Sequence, residues 1–449
     1  MTIKAAVMGS VPESLLPLVR RIQDSPVGYR LARGAFWSLA GTVVSRGLAL
    51  LSWILIARML GKTVFGEVGM VQSTVGMFGT LAGLGLGLTA TRYVAEFRLK
   101  DPEKAGRIIG FSGLTASATS ILASILLLAL APLLATKAFD APQLTNVLRI
   151  GTLIIFFGTL NGAQTGALSG FEAFKSIAAI NLSAGLISFP LMLTGAWFGG
   201  LAGTVWAMGA TMAINWLLNH WALRCEAAKA NVPITFKRCW SERDVLWSFS
   251  VPVVLTGVLF APINWLCCAM LARQPHGHGE VGLYNAAVQW QTALAFLPAL
   301  LSQVLLPILS DSHSNDGAHK SRKTLSTALA VFLAVIIFPA IALIALSPWI
   351  TAVYGGNFQM PVRLFVALVV YATLSNFGTA LWTCLLSRNR AWFGFIGNLV
   401  WTVCVVVTFY FLLPMGAFGL ALANVISYTA AMAVIFPPIL RALLTRKDD

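Results

Sequence analysis

An arginine lies in the middle of a long apolar segment near the start of the chain. Arg46 stands eleven positions from either end of the apolar stretch 35–57. A charged side chain at that depth in a bilayer costs roughly 2.5–3.5 kcal/mol on insertion scales, so such a charge usually serves a function. Its helical face is small, polar and aromatic, and comprises Ser38, Thr42, Arg46, Ala49 and Trp53. We expect Arg46 to face water and bind an anion. The alternative is a buried arginine paired with a carboxylate.

Further polar side chains are candidates for binding. Thr256, Asn264, Asn285 and Gln289 lie within apolar stretches, and Trp290 follows directly. Amides beside an aromatic ring suit sugar hydroxyls and sugar faces, but buried amides also join neighbouring helices. Both interpretations stay open for these four residues.

Arg92 stands one turn from Glu96, at the end of a predicted span. This spacing is typical of an intrahelical ion pair. The second interpretation is a residue that meets the substrate at the cytoplasmic entrance.

Enzymatic and metal chemistry is not indicated. The sequence contains no paired carboxylates, nucleophile and base, or phosphate-binding loop in a plausible setting. His276-Gly-His278 offers only two metal ligands on a short loop, which is a weak signal. The six cysteines form no disulfide framework. We therefore predict no enzyme, no cofactor and no metal site.

The elements that hold these residues are membrane-spanning helices. The 449 residues are 57% hydrophobic and 10% charged, with a mean hydropathy of +0.80. Soluble proteins carry roughly 25% charged residues, so a water-soluble protein is excluded. The long uninterrupted apolar stretches also exclude an outer-membrane barrel. Twelve spans are predicted, at about 35–57, 68–90, 108–130, 150–169, 177–198, 201–222, 245–271, 282–309, 324–347, 364–386, 392–412 and 416–437.

The basic residues support this topology. With the N-terminus in the cytoplasm, 24 of the 31 Lys and Arg lie in cytoplasmic segments, 6 lie on the opposite side, and Arg46 lies within a span. This bias follows the positive-inside rule and predicts that both termini are cytoplasmic. The net charge of +15 is spread over short loops that face bilayer lipids. No nucleic-acid partner is predicted, because no basic face interleaved with aromatic residues occurs.

The two halves of the chain repeat weakly. At a shift of 216 positions, Gly66 aligns with Gly282, Gly200 with Gly416 and Gly203 with Gly419. We therefore predict an all-α polytopic membrane protein with two pseudo-symmetric six-helix bundles around a central cleft. The predicted parts are a basic N-terminal segment (1–33), the N-terminal bundle (34–223), a basic linker (224–244), the C-terminal bundle (245–440) and a tail (441–449).

Glycines spaced by four residues occur in two predicted spans. Gly79, Gly83 and Gly87 lie in the second span, and the fourth carries Gly162, Gly166 and Gly170. Such spacing is typical of closely packed helices, so we predict packing surfaces rather than a site.

The sequence resembles a known family. Its motifs are similar to those of the polysaccharide flippase branch of the multidrug, oligosaccharidyl-lipid and polysaccharide exporter superfamily. The similar stretches are Ala57-Arg-Met-Leu-Gly61 before Phe65-Gly66, Gly87-Leu-Thr-Ala-Thr-Arg92-Tyr-Val-Ala-Glu96, Leu168-Ser-Gly170-Phe-Glu-Ala-Phe174, Phe249-Ser-Val-Pro252, Gly282-Leu-Tyr284-Asn-Ala-Ala287, Val353-Tyr-Gly355 and Gly416-Ala-Phe-Gly419.

The resemblance implies a flippase of the bacterial inner membrane. Such a protein moves a polyprenyl-pyrophosphate-linked oligosaccharide from the cytoplasmic to the periplasmic leaflet by alternating access. Polysaccharide polymerases and glycosyltransferases are the partner proteins that it implies. One alternative is a multidrug cation antiporter of the same superfamily, which usually couples through an acid within the membrane. Another is a scaffold or assembly subunit that transports nothing, in which Arg46 is buried and paired.

Overall fold

The computed structural model describes residues 26–236, 239–242, 259–299, 301–302, 318–356, 358–386 and 391–444. Within these ranges the chain forms helices joined by short turns, with no strand. The helices are α1 Pro26–Gly83, α2 Leu86–Phe97, α3 Pro102–Leu133, α4 Leu144–Ile150, α5 Thr152–Gly170, α6 Phe174–Lys229, α7 Phe260–Ala272, α8 Gly277–Leu294, α9 Ala318–Ala345, α10 Ser347–Val353, α11 Val362–Leu386, α12 Ala391–Leu412 and α13 Gly416–Leu444.

Two of these helices each contain two membrane crossings joined at one non-helical glycine. The breaks are Gly61 in α1, with φ of 73°, and Gly200 in α6, with φ of 52°. Only glycine adopts such backbone angles at little steric cost. The chain reverses at Gly61, because the rings of Trp53 and Phe65 on either side lie 6.1 Å apart. A straight helix would separate these two residues by about 18 Å.

Seven described helices are long and apolar enough to cross a membrane. Three of these stretches are long enough for two crossings each, namely Gly41–Phe97 (α1 and α2), Phe174–Lys229 (α6) and Ile396–Pro437 (α12 and α13). The shorter α7 and α8 belong to two further predicted spans. The helices of the described chain therefore account for the twelve predicted spans.

The internal repeat is visible in the backbone. Gly200 and Gly416, which the sequence aligns, have φ/ψ of 52°/−128° and 62°/−138°. Their neighbours Gly203 and Gly419 each pack so closely on the preceding helix that a Cβ would overlap a carbonyl oxygen there. Equivalent turns therefore join the last two helices of each bundle.

Two large apolar clusters hold the bundles together. One contains α1 residues Ile54, Ala57 and Phe65 together with α8 and α11 residues. The other joins the second half of α1 to α7, α12 and α13 through residues such as Val71 and Trp401. We call the end of the molecule at Gly61 and Gly200 the outer end, and the opposite end, at the α2–α3 turn, the inner end.

The linker between the bundles lies against α3 at the inner end. A Cβ at Gly106 or Gly110 would overlap the carbonyl of Pro233 or Thr235, so the linker backbone lies directly on that helix. The Arg107 side chain donates a hydrogen bond to the Glu242 carboxylate at 3.0 Å. This bond attaches the later part of the linker to α3. The helix α6 continues to Lys229, so the predicted linker 224–244 begins within a helix.

Candidate substrate cleft

The two bundles meet in a reciprocal contact near the outer end. A Cβ at Gly66 of α1 would overlap the carbonyl oxygen of His278, and a Cβ at Gly282 of α8 would overlap that of Lys62. The two pairs are exchanged by the 216-residue shift, so this is a self-complementary interface of the kind that a two-fold axis produces. Only glycine allows the two backbones to approach this closely.

The same helices separate toward the inner end. One turn inward from Gly66, a Cβ at Gly69 would still overlap the amide of Asn285. Further inward on α1, a Cβ at Gly76, Gly79 or Gly83 would meet nothing within 4 Å among the described residues. In the described part of the chain, the cleft between the bundles is therefore closed at the outer end, and no such contact joins the bundles at Gly76.

Arg46 lies on a face of α1 whose outer part packs where the bundles meet. Ala57 on this face belongs to the cluster that joins the bundles, and Trp53 and Leu50 pack against that cluster. Arg46 comes next at the same helical spacing, and its side chain is exposed. Among the described residues it forms no ion pair with a carboxylate. Arg46 therefore lies on α1 inward of the residues that join the bundles.

The facing side of the cleft is a stripe of α8. His278, Gly282, Asn285 and Gln289 follow a 4-3-4 spacing and share one face, whose outer members contact α1. Gln289 stands one turn inward of the last contact and is partly exposed. The sequence-predicted Arg46 and Gln289 thus lie on the two helices that bound the cleft.

Asn264 and Asn285 line one cavity of about 350 Å³ where α7 and α8 meet α1. The amide nitrogen of Asn285 is buried and has no hydrogen-bond partner in the described part of the chain. A buried donor without a partner is costly, so it favours a ligand group that accepts a hydrogen bond. The cavity also holds polar residues that the sequence analysis did not select: Gln72, Ser73, Tyr284, Gln291, Thr292 and Tyr371.

The sequence does not predict that these residues share a cavity, because they come from distant parts of the chain. Gln72 offered one local signal, since it lies on the face of α1 that carries Gly69 and Gly76. Tyr284 offered none, because a tyrosine beside a predicted amide is equally common in packed helices. Its hydroxyl accepts a hydrogen bond from Asn424 at 3.3 Å.

The two remaining candidates lie elsewhere. Arg92 is on α2 near the inner end, with its guanidinium carbon 5.5 Å from the centre of the Tyr93 ring. Thr256 lies outside the described residues. The structure therefore brings Asn264 and Asn285 into one cavity. Gln289 lies one turn further inward on α8, and Arg46 lies exposed on α1. Binding roles for all six stay predictions.

The glycine repeats divide into two kinds. A Cβ at Gly166 would overlap the carbonyl of Gly87, so the predicted packing is confirmed for this pair. For Gly79 and Gly83 the packing prediction is wrong, because these residues line an open groove of about 480 Å³ between α1 and α5. Thr159 also lines this groove, and its hydroxyl has no hydrogen-bond partner among the described residues.

Comparison with known proteins identifies the family. Residues 31–313 match the family described as "Polysaccharide biosynthesis protein". The EPS I polysaccharide export inner membrane protein EpsE of Ralstonia nicotianae is 24% identical over 406 residues, covering 86% of this chain and 88% of that protein. The Lipid III flippase of Escherichia coli is 23% identical over 285 residues, covering 62% and 67%.

Solved structures share the fold. An inward-facing multidrug resistance MATE family transporter of the MOP superfamily superposes with a TM-score of 0.75 at 14% identity, covering 91% of this chain and 98% of that chain. The lipid II flippase MurJ in an inward closed conformation gives 0.71 at 15% identity, covering 91% and 89%. The predicted two-bundle architecture is thereby confirmed. This chain belongs to the polysaccharide biosynthesis protein family, and it is a multi-pass membrane protein with the fold of the multidrug transporter and lipid II flippase structures.

Proposed function

We propose that the protein flips a polyprenyl-pyrophosphate-linked oligosaccharide from the cytoplasmic to the periplasmic leaflet of a bacterial inner membrane. Both termini are cytoplasmic in this proposal, so the inner end of the cleft faces the cytoplasm. The observation that carries it is Arg46, an exposed cation within a predicted span, with no carboxylate partner among the described residues. A pyrophosphate is the anion that such a lipid would bring to that depth.

The remaining parts of the cargo find matching surfaces. Sugar hydroxyls can accept hydrogen bonds from the unpartnered side-chain amide of Asn285, in the cavity that Asn264 also lines. The adjoining groove at Gly79 and Gly83 leaves room, because no side chain fills it. The names of the relatives, an export protein for EPS I polysaccharide and a lipid III flippase, agree with this class of cargo. Polysaccharide polymerases and glycosyltransferases remain the expected partners.

A cation antiporter is the second candidate, and the charge of the cleft opposes it. The central charge is Arg46, which repels a cationic drug. Glu67, the acid buried in α1, lies at the outer end and is already engaged by His278 and Gln143. A scaffold without transport is opposed by the exposure of Arg46, since that alternative expects a buried, paired arginine.

The test is flipping by the full-length protein in proteoliposomes that contain a fluorescent lipid-linked oligosaccharide. We expect Arg46→Ala to lower the flipping rate at least tenfold, since a hydrogen bond to a charged group contributes about 1.5–3 kcal/mol. Arg46→Lys should retain part of the rate because it keeps the charge. Arg149→Ala is the matched control, as Arg149 is exposed at the outer surface. Normal flipping by Arg46→Ala, or export of a cationic dye by the unmodified protein, would contradict the proposal.

A further inference from the structure

One histidine of the C-terminal bundle is inserted between two acceptors of the N-terminal bundle. His278 lies at the start of α8, beyond the outer end of the cleft. Its Nδ1 is 3.4 Å from Oε1 of Glu67 in α1, and its Nε2 is 3.3 Å from the carbonyl oxygen of Phe139. The same Glu67 oxygen accepts a hydrogen bond from the Gln143 side chain at 2.9 Å. We call Glu67, Phe139, Gln143 and His278 the outer latch.

The chemistry of these partners favours one protonation state. A neutral imidazole has a single N–H and can donate to only one acceptor. A carboxylate and a backbone carbonyl only accept, so the arrangement is fully satisfied when both ring nitrogens carry a proton. The side chains are largely buried, with 11% of Glu67 and 21% of His278 exposed. A neutral His278 therefore leaves one of the two acceptors without a hydrogen bond from the imidazole in the closed form.

The latch spans the surface at which the two bundles must part. His278 also supplies the carbonyl that Gly66 approaches, so the latch and the reciprocal glycine contact lie side by side. Opening the outer end separates α8 from α1 and removes both acceptors from the imidazole. The closed and open forms consequently bind the His278 proton with different affinity.

We propose that protonation of His278 holds the outer end of the transporter closed, and that loss of this proton releases it. The outer gate is then a pH sensor for the compartment outside the membrane. This proposal rests on the two-bundle transporter architecture and is independent of the cargo. It makes His278 a regulatory residue, separate from the polar cavity and from Arg46.

Other charged groups around His278 determine the sign of the effect. On the N-terminal bundle these are Glu67, Asp140 and Lys62, whose side chain contacts Gly279. On the C-terminal bundle these are Arg273, His276 and Glu280, which line a cavity of about 390 Å³ together with His278. Glu280 is engaged at the start of α13, where it accepts the Ala417 N–H at 2.7 Å. The hydrogen bond to Glu67 raises the pKa of His278, and burial opposes it to a smaller extent.

The direction of the pH dependence follows from linkage. Because the pKa of His278 is higher in the closed form, protons stabilise that form. The stabilisation is complete below the pKa of the open form and is lost as pH rises through the pKa of the closed form. Each unit of difference between the two pKa values changes the closed-to-open ratio about tenfold.

The test measures the outer opening without any cargo. Bioorthogonal amino acids at Asn146 of α4 and Val353 of α10, both exposed, carry a fluorophore pair and leave the six cysteines in place. Single-molecule energy transfer in lipid nanodiscs then reports the separation of the bundles as pH is stepped between about 5 and 8. We expect the closed population to increase as pH falls, and His278→Gln to lose this dependence.

Two further variants make the result decisive. Glu67→Gln keeps a hydrogen-bonding side chain but removes the charge, and it should also lose the pH dependence even if His278→Gln fails to fold. His276→Asn is the matched control, because His276 has φ of 60°, which asparagine tolerates, and it should respond like the unmodified protein. A pH response that survives in His278→Gln, one that disappears in His276→Asn, or none in the unmodified protein would overturn the proposal. Since no cargo is present, failure of the flippase assay leaves this measurement unaffected.

Discussion

Replacing Gly66 by alanine should open the outer end of the transporter. The new Cβ would overlap the carbonyl oxygen of His278 and approach its carbonyl carbon, which are backbone atoms of α8. Backbone cannot rotate away as a side chain can, so the helices must separate. Overpacking of this kind costs about 1–3 kcal/mol. Because the clash exists only when the outer end is closed, the closed-to-open ratio should fall about 5- to 150-fold.

A second glycine on the same face provides the control. Gly76→Ala introduces the same methyl group in the same helix, but the new Cβ meets no described residue within 4 Å. Both substitutions gain roughly 0.5–1 kcal/mol of intrinsic helix stability, so the difference between them isolates the clash. The fluorophore pair at Asn146 and Val353 measures the opening, and monodisperse elution confirms folding in each case.

The reasoning would be refuted by either of two results. One is an energy-transfer distribution for Gly66→Ala that equals that of the unmodified protein, which would mean that the bundles close elsewhere. Alternatively, equal opening by Gly66→Ala and Gly76→Ala would show that helix stability, rather than the reciprocal contact, controls the gate. Gly282→Ala, which clashes with Lys62, should match Gly66→Ala because the two contacts are related by the repeat.

Three further outcomes are expected. Gly416→Ala should lower the free energy of unfolding by roughly 1–2 kcal/mol, because a left-handed φ strains alanine, whereas Gly199→Ala should be tolerated; thermal unfolding in detergent measures both. Asn264→Ala should slow flipping roughly fivefold through loss of one hydrogen bond in the cavity, with Asn146→Ala at the outer surface as the control. Flipping should accelerate with a potential that is negative inside, since one charge crossing 100 mV gains about 2.3 kcal/mol. A sodium gradient that drives flipping at zero potential, where potential alone has no effect, would contradict this last prediction.

The architecture was predictable because its signals are local and periodic. Apolar stretches mark the spans, and the charges of the loops predict that their number is even. The alignment of Gly200 with Gly416 anticipated two turns with the same backbone angles. Arg46 was identifiable because a charge at that depth has few explanations. Its exposure agrees with an arginine that faces water and disagrees with a buried arginine paired with a carboxylate.

The contacts within the site were harder to predict because they join residues far apart in the chain. Glycines spaced by four residues look alike in the sequence whether a helix packs against them or not. The sequence therefore predicts a packing surface at both Gly79 and Gly87. Only the position of the neighbouring helix distinguishes them. Glu67 is an acid near a span end by sequence, and its partner His278 lies 211 residues further on. No local pattern relates these two residues.

The contact between Gly66 and Gly282 also bears on how fast the gate can move. Ordering a long side chain costs up to about 1.5–2 kcal/mol in lost rotamer freedom, and glycine has no rotamer to lose. Where Gly66 meets Gly282, the outer end therefore closes by bringing two backbones together, and no side chain of these two residues has to be ordered. In our proposal the outer latch beside this contact is ordered at closure. Our proposal therefore assigns two properties of the gate to two different features. The contact between the glycine backbones favours rapid closure, and the proton on His278 determines how long the gate stays closed.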